Sequence, residues 1–129
     1  RRHLRARYQE EVRLASIDVA VDEEGTSFVE TVVEAIEAHI GNPDFSIGQL
    51  ADEVALSRRQ LSRRLSDAVG ENPSDFLRRC RIERAKTLFD EGAETVSEVA
   101  YAVGYRSPSH FSQVFQDEVG TSPSAYQEE

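Results

Sequence analysis

Two short clusters of side chains stand out for the chemistry they could do. The first is Arg58, Arg59, Ser62, Arg63 and Arg64, five hydrogen-bond donors in seven residues. The second, about fifty residues on, is Ser109, His110 and Gln113. A guanidinium fork binds phosphate or guanine through paired hydrogen bonds. Hydroxyl, amide and imidazole groups bond base edges and phosphate oxygens without adding negative charge. Both clusters therefore suit contact with nucleic acid. Catalysis is not expected. The three histidines are dispersed, Cys80 is alone, and neither metal-ligand spacing nor a glycine-rich phosphate loop occurs. No metal and no cofactor are expected.

The charge balance looks unfavourable at first. The 129 residues carry a net charge of −9, which taken alone argues against a polyanionic partner. The distribution argues otherwise. Between Arg58 and Lys86 nine cations face four carboxylates, a local surplus of five. Of the 15 cations in the chain, 14 are arginine. The second cluster lacks such support: from residue 94 to the end Arg106 is the one basic residue, against six carboxylates.

Length and composition limit the architecture. With 129 residues, 39% of them hydrophobic, the chain can form one modest domain with a tail. No apolar run approaches the roughly 20 residues of a membrane-spanning helix, and the start lacks the apolar stretch of a secretory leader. One cysteine excludes an internal disulfide. A cytoplasmic protein without membrane contact is expected. The sequence contains no methionine and opens on arginine, so the natural chain is expected to begin further upstream.

The elements that must position the clusters are marked by helix punctuation. Residues 1–14 carry helical spacing at Leu4, Tyr8 and Val12, and residues 15–26 read as an extended acidic linker. Ser27-x-x-Glu30, Ser46-x-x-Gln49, Ser57-x-x-Gln60 and Thr95-x-x-Glu98 are capping-box patterns that open helices. Asn72-Pro73 and Ser107-Pro108 each place a cap before a proline at the first helical position. Gly70, Gly104 and Gly120 stand where helices should stop. The spacing predicts an all-α fold of about seven helices. Residues 1–26 are expected to be a linker or the end of an upstream domain, and residues 27–129 the helical domain.

Within that domain the chain repeats itself. "GENPSDF" at Gly70 returns as "GTSPSAY" at Gly120. Ile47, Leu50, Ala51, Val54 and Leu56 match Val96, Val99, Ala100, Val103 and Tyr105 at an offset of 49. Ser57, Leu61, Leu65, Val69 and Gly70 match Ser107, Phe111, Phe115, Val119 and Gly120 at an offset of 50. Each unit is a short helix, a tight turn and a second helix opened by serine, the outline of a helix-turn-helix. The second helix of such a unit is the one that enters a DNA major groove. With Leu61 facing the core, Arg59, Arg63 and Ser66 point outward and Ser62 flanks them. In the second unit Ser109, Gln113 and Gln116 point outward, with His110 and Ser112 on the flank. The helix between the units, from Pro73 to about Asp90, is roughly 27 Å long. With a turn at each end it could hold two reading helices about 34 Å apart, one turn of B-DNA.

These residues resemble the AraC/XylS-type transcription regulators. The resemblance covers about residues 28–127 and is most specific in "VSEVAYAVGYRSPSHFSQVFQDEVGTSPSAY". "RIERAKTLF" is similar to that family's linker helix. The resemblance implies two helix-turn-helix units joined by a long linker helix. It also implies contacts to double-stranded DNA from Arg59, Ser62, Arg63, Ser109, His110 and Gln113. Arg58, Arg64 and Arg106 complete the candidate set. The acidic second unit departs from the family pattern, which suggests weaker binding there. The segment from Asp22 to Arg79 resembles the effector ends of two-component response regulators and hybrid histidine kinases. "RRHLRARYQEEV" resembles the helix that leaves a phosphoacceptor receiver domain. An upstream receiver or sensor in the same chain is then an expected partner, and RNA polymerase a further candidate. The competing reading is a helical interaction module that binds an acidic partner through the Arg58–Arg64 stripe. Arg78, Arg79 and Arg84 are expected either at phosphate or paired with Asp75 or Glu83. Cys80 is expected as a small buried apolar residue, and Arg81 as a packing or pairing residue within the fold.

Overall fold

The computed structural model describes residues 23–128 other than Glu94, with side chains from Ser27 onward. The expected helix at residues 1–14, and the linker up to residue 22, lie outside the described residues. Seven helices follow in order: α1 Glu23–Ala38, α2 Ile47–Glu53, α3 Arg58–Val69, α4 Pro73–Asp90, α5 Val96–Ala102, α6 Pro108–Val119 and α7 Pro123–Glu128. Among the described residues there is no strand, and no helix is long and apolar enough to cross a membrane.

Most of the sequence punctuation is used. The Ser46 and Ser57 hydroxyls accept the backbone N–H of Gln49 and Gln60, each at 3.1 Å. The two glutamine side chains return the bond to the serine N–H groups at 2.8 and 2.9 Å. Asn72 caps α4 by accepting from the Asp75 N–H at 2.8 Å, with Pro73 at the first helical position. Ser107 caps α6 through the His110 N–H at 3.2 Å. The repeated glycines Gly70 and Gly120 end α3 and α6 in left-handed conformation.

The α1 start is a correction. The helix begins at Glu23, so residues 23–26 are helical rather than extended and Ser27 is an interior residue. The Ser27 carbonyl accepts the Thr31 hydroxyl at 3.0 Å. A capping-box pattern caps only where the chain before it leaves the helix, and here the chain before Ser27 is already helical.

The domain has two cores, not one. Phe28, Val29, Val32, Ile36, Leu50, Leu61 and Leu65 form the first with Phe76, Leu77 and Cys80 of α4. Val99, Ala100, Val103, Phe111, Phe115 and Tyr126 form the second with Ile82, Ala85 and Phe89 of α4. At about 100° per residue, the first α4 trio and the second trio lie on roughly opposite faces of the helix. Helix α4 therefore changes its buried side midway, near Arg81. The first unit packs on its first half and the second unit on its second half.

Candidate nucleic-acid interface

All nine candidate contact residues are exposed: Arg58, Arg59, Ser62, Arg63, Arg64, Arg106, Ser109, His110 and Gln113. The helices that carry them explain why. α3 buries Leu61, Leu65 and Ala68, and α6 buries Phe111 and Phe115. With those sides fixed inward, Arg59 and Arg63, and likewise Ser109 and Gln113, must face out.

Exposure alone does not put residues together; two adjoining hollows do. One is lined by Ile47, Arg58, Arg59, Ser62, Asn72, Pro73 and Ser74. The other is lined by Phe45, Ser46, Ile47, Ser74, Leu77, Arg78, Arg81, Tyr105, His110 and Val114. Ile47 and Ser74 belong to both. A concave track thus runs from α3, over the start of α4, to the start of α6. Arg58, Arg59 and Ser62 stand at one end, and His110 at the other. Ser74 was not among the residues singled out in the sequence. Its signal was the Pro-Ser pair common to both copies of the repeated phrase.

The charged groups divide sharply between the units. Among the described residues Arg58, Arg59 and Arg63 carry no ion pair. Arg64 is different: its guanidinium carbon lies 4.1 Å from the centre of the Phe28 ring, a cation–π contact with α1. That side of α3 faces away from the hollow, so Arg64 is not brought to the track. The second unit's arginine is engaged, and so is Arg78 on the first half of α4. Arg106 pairs with Asp44. Arg78 donates to Glu118 and to Asp75, both at 2.7 Å. The bond to Glu118, and after it Asp75, raises the Arg78 pKa above the ordinary arginine value.

Other arginines also settle inside the fold. Arg79 pairs with Glu71 at 2.6 Å, while Lys86 takes Glu83 at 2.9 Å. Asp75 is therefore the expected partner of Arg78, but Arg79 finds a different carboxylate. Arg81 is half-buried and donates to the Asn42 carbonyl at 3.0 Å, and burial lowers its pKa. Arg84 is half-buried on α4, and Cys80 is buried.

Two polar candidates of α6 are held in defined poses. The His110 ring stands edge-on to Tyr105, with centroids 5.4 Å apart. Gln113 donates its amide to Asp117 at 3.2 Å. The Gln113 carbonyl and the second amide N–H have no partner among the described residues, so both an acceptor and a donor remain for a base edge. The track itself holds two guanidinium groups without an ion pair among the described residues, Arg58 and Arg59, at one end and His110 at the other, while Arg63, Ser109, Gln113 and Arg106 are exposed but line neither hollow.

Comparison with known proteins agrees with this geometry. A family model described as a helix-turn-helix domain matches residues 50–129. A putative AraC-like transcription regulator of Streptomyces lividans is 38% identical over 82 residues, which are 64% of this chain and 27% of that protein. A histidine kinase of Formosa agariphila is 24% identical over 127 residues, 98% of this chain and 9% of the kinase. The chain thus spans under a third of the length of these curated relatives. Among solved structures, the C-terminal domain of AraT, a response regulator from Geobacillus stearothermophilus, superposes with a TM-score of 0.70 at 27% identity, covering 78% of this chain and 84% of that one. The DNA-binding domain of AdpA, solved in complex with a target DNA, superposes with a TM-score of 0.69 at 33% identity, covering 78% of this chain and 89% of that one. Two repeated units on one linker helix, matched in sequence and in three dimensions, make this chain a member of the AraC-type helix-turn-helix family.

Proposed function

We propose that this chain binds double-stranded DNA and regulates transcription as the output domain of a two-component signalling protein. Helices α3 and α6 read two successive major-groove segments. The observation that carries this reading is the shared track: Ile47 and Ser74 join the hollow beside Arg59 and Ser62 to the hollow beside His110. Two reading helices on one concave surface can engage one face of a duplex. Arg58, Arg59 and Arg63 supply most of the phosphate attraction, and α6 adds hydrogen-bond readout. The likeness to the AdpA domain solved with its target DNA supports the ligand.

The likeness to a histidine kinase over 98% of this chain, and to a response-regulator C-terminal domain, supports the signalling context. A receiver or sensor upstream in the same polypeptide then controls the domain, and RNA polymerase is the partner that a bound regulator recruits or blocks. Such a protein works in the cytoplasm, beside the chromosome, and has no catalytic role in this segment. The test is selection of binding sites from a random duplex library, followed by anisotropy titrations of a selected and a scrambled duplex. The expected result is at least about 10³-fold preference for the selected sequence, with affinity falling steeply as salt rises. Equal affinity for both duplexes, or binding indifferent to salt, overturns the reading in favour of a protein-interaction module.

A further inference from the structure

The two cores are separate, yet one segment serves both. Ile40 packs against the first core and against the second. The residues after it, between α1 and α2, lie on the turn between α5 and α6. A Cβ on Gly41 would stand 3.3 Å from the Ala102 carbonyl oxygen. Asn42 gives its carbonyl to Arg81 at 3.0 Å. Asp44 pairs with Arg106. From the other side, a Cβ on Gly104 would sit 2.5 Å from the Ile40 carbonyl oxygen and 3.0 Å from the Arg81 guanidinium carbon. Arg81 stands where α4 changes its buried face, and its Nε is buried with no hydrogen-bond partner among the described residues.

A helix shared by two small cores does not by itself fix their relation. Units joined this way are expected to move unless a second contact locks them. The 40–44 segment is such a contact, and it combines an apolar anchor, a close backbone approach and a guanidinium bond. The Arg106–Asp44 pair is exposed and adds little alone.

We propose that segment 40–44, Arg81 and Gly104 form a clasp that holds α3 and α6 in one fixed relation, so that two DNA segments are accepted at a single spacing. Arg81 and Gly104 are positioning residues, and Arg106 closes the clasp rather than reading DNA. The spacing consequence rests on the DNA-binding reading; the clasp itself does not need DNA to be measured.

The test places spin labels on outward positions of α3 and α6, as Ser66→Cys and Gln116→Cys in a Cys80→Ala full chain, and reads their distance by pulsed electron paramagnetic resonance. The parent should give one narrow distance distribution. Arg81→Met should widen it, and Gly104→Ala should shift it, with helical circular dichroism retained. A broad parent distribution, or an Arg81→Met distribution like the parent's, overturns the clasp. If Gly104→Ala does not fold, Arg81→Met decides. Selection from a random duplex library gives the functional arm. The unlabelled wild type should recover paired motifs at one spacing, and Arg81→Met should recover several. One unchanged spacing in Arg81→Met refutes the proposal. Recovery of no duplex by the wild type refutes DNA binding instead, and the label distances then judge the clasp.

Discussion

Ala55 and Gly104 hold the same place in the two helix-turn-helix turns, and both are left-handed, at φ 58° and 89°. Each turn closes with the same pair of bonds. The Leu56 N–H reaches the Ala51 carbonyl and the Tyr105 N–H the Ala100 carbonyl, both at 2.9 Å; Ala55 and Gly104 bond Asp52 and Tyr101, both at 3.1 Å. This is the Schellman arrangement, which needs a residue at positive φ. An alanine tolerates that at a cost of about 1–2 kcal/mol, partly offset in glycine by unfolded-state freedom. Ala55→Gly should therefore be neutral or stabilise by up to about 1 kcal/mol. Gly104→Ala should cost more than about 2 kcal/mol, because its Cβ would also meet the Ile40 carbonyl. Urea unfolding measures both, and equal effects at the two sites would refute the asymmetry.

The proposed function separates the arginines of α3 into DNA contacts and a packer. On the proposed reading, Arg59→Ala and Arg63→Ala each weaken specific DNA binding by about 1–3 kcal/mol. Arg64 sits over Phe28, so Arg64→Ala should lower stability by about 0.5–1 kcal/mol and leave the choice of sequence unchanged. Anisotropy titrations beside urea melts check the pair of effects. If Arg64→Ala weakens DNA binding as much as Arg63→Ala does, this division is wrong.

Salt should report the imbalance between the units. Three unpaired arginines contacting phosphate predict a slope of log affinity on log salt near about −2.7, and each Arg→Gln change at 58, 59 or 63 should reduce it by about 0.9. Arg78→Gln should barely change it, since Glu118 and Asp75 already hold that guanidinium. A slope that falls equally for Arg78→Gln would show that phosphate displaces those carboxylates.

How much of this was legible beforehand depends on how far apart the interacting residues lie. Caps and stops are contacts between residues a few positions apart, so Ser57 with Gln60, Asn72 with Asp75, and the glycines after α3 and α6 could be read directly. The outward faces followed from the buried leucines and phenylalanines of α3 and α6. What stayed hidden was long-range. Arg78 and Glu118 are 40 residues apart, and Arg106 and Asp44 are 62 apart; no local pattern joins them. The change of face within α4 was obscured because its apolar residues, taken together, fall on both sides of the helix and mark no single buried face. The true start of α1 was masked by a serine and a glutamate at capping-box spacing inside the helix.

The buried phenol of Tyr105 makes stability depend on pH at the alkaline end. Its residue is 8% exposed. Burial raises its pKa above the usual tyrosine value, with Arg81 and Arg78 opposing the shift. A raised folded-state pKa means that the folded protein holds its proton longer than the unfolded chain does. The stabilisation is then complete below about pH 10, where the unfolded phenol titrates, and is lost as pH rises toward the folded-state value. The urea midpoint of the wild type should fall above that pH, and Tyr105→Phe, with no proton to lose, should fall less. Identical pH profiles for the two proteins would show that the Tyr105 hydroxyl reaches water in the folded state.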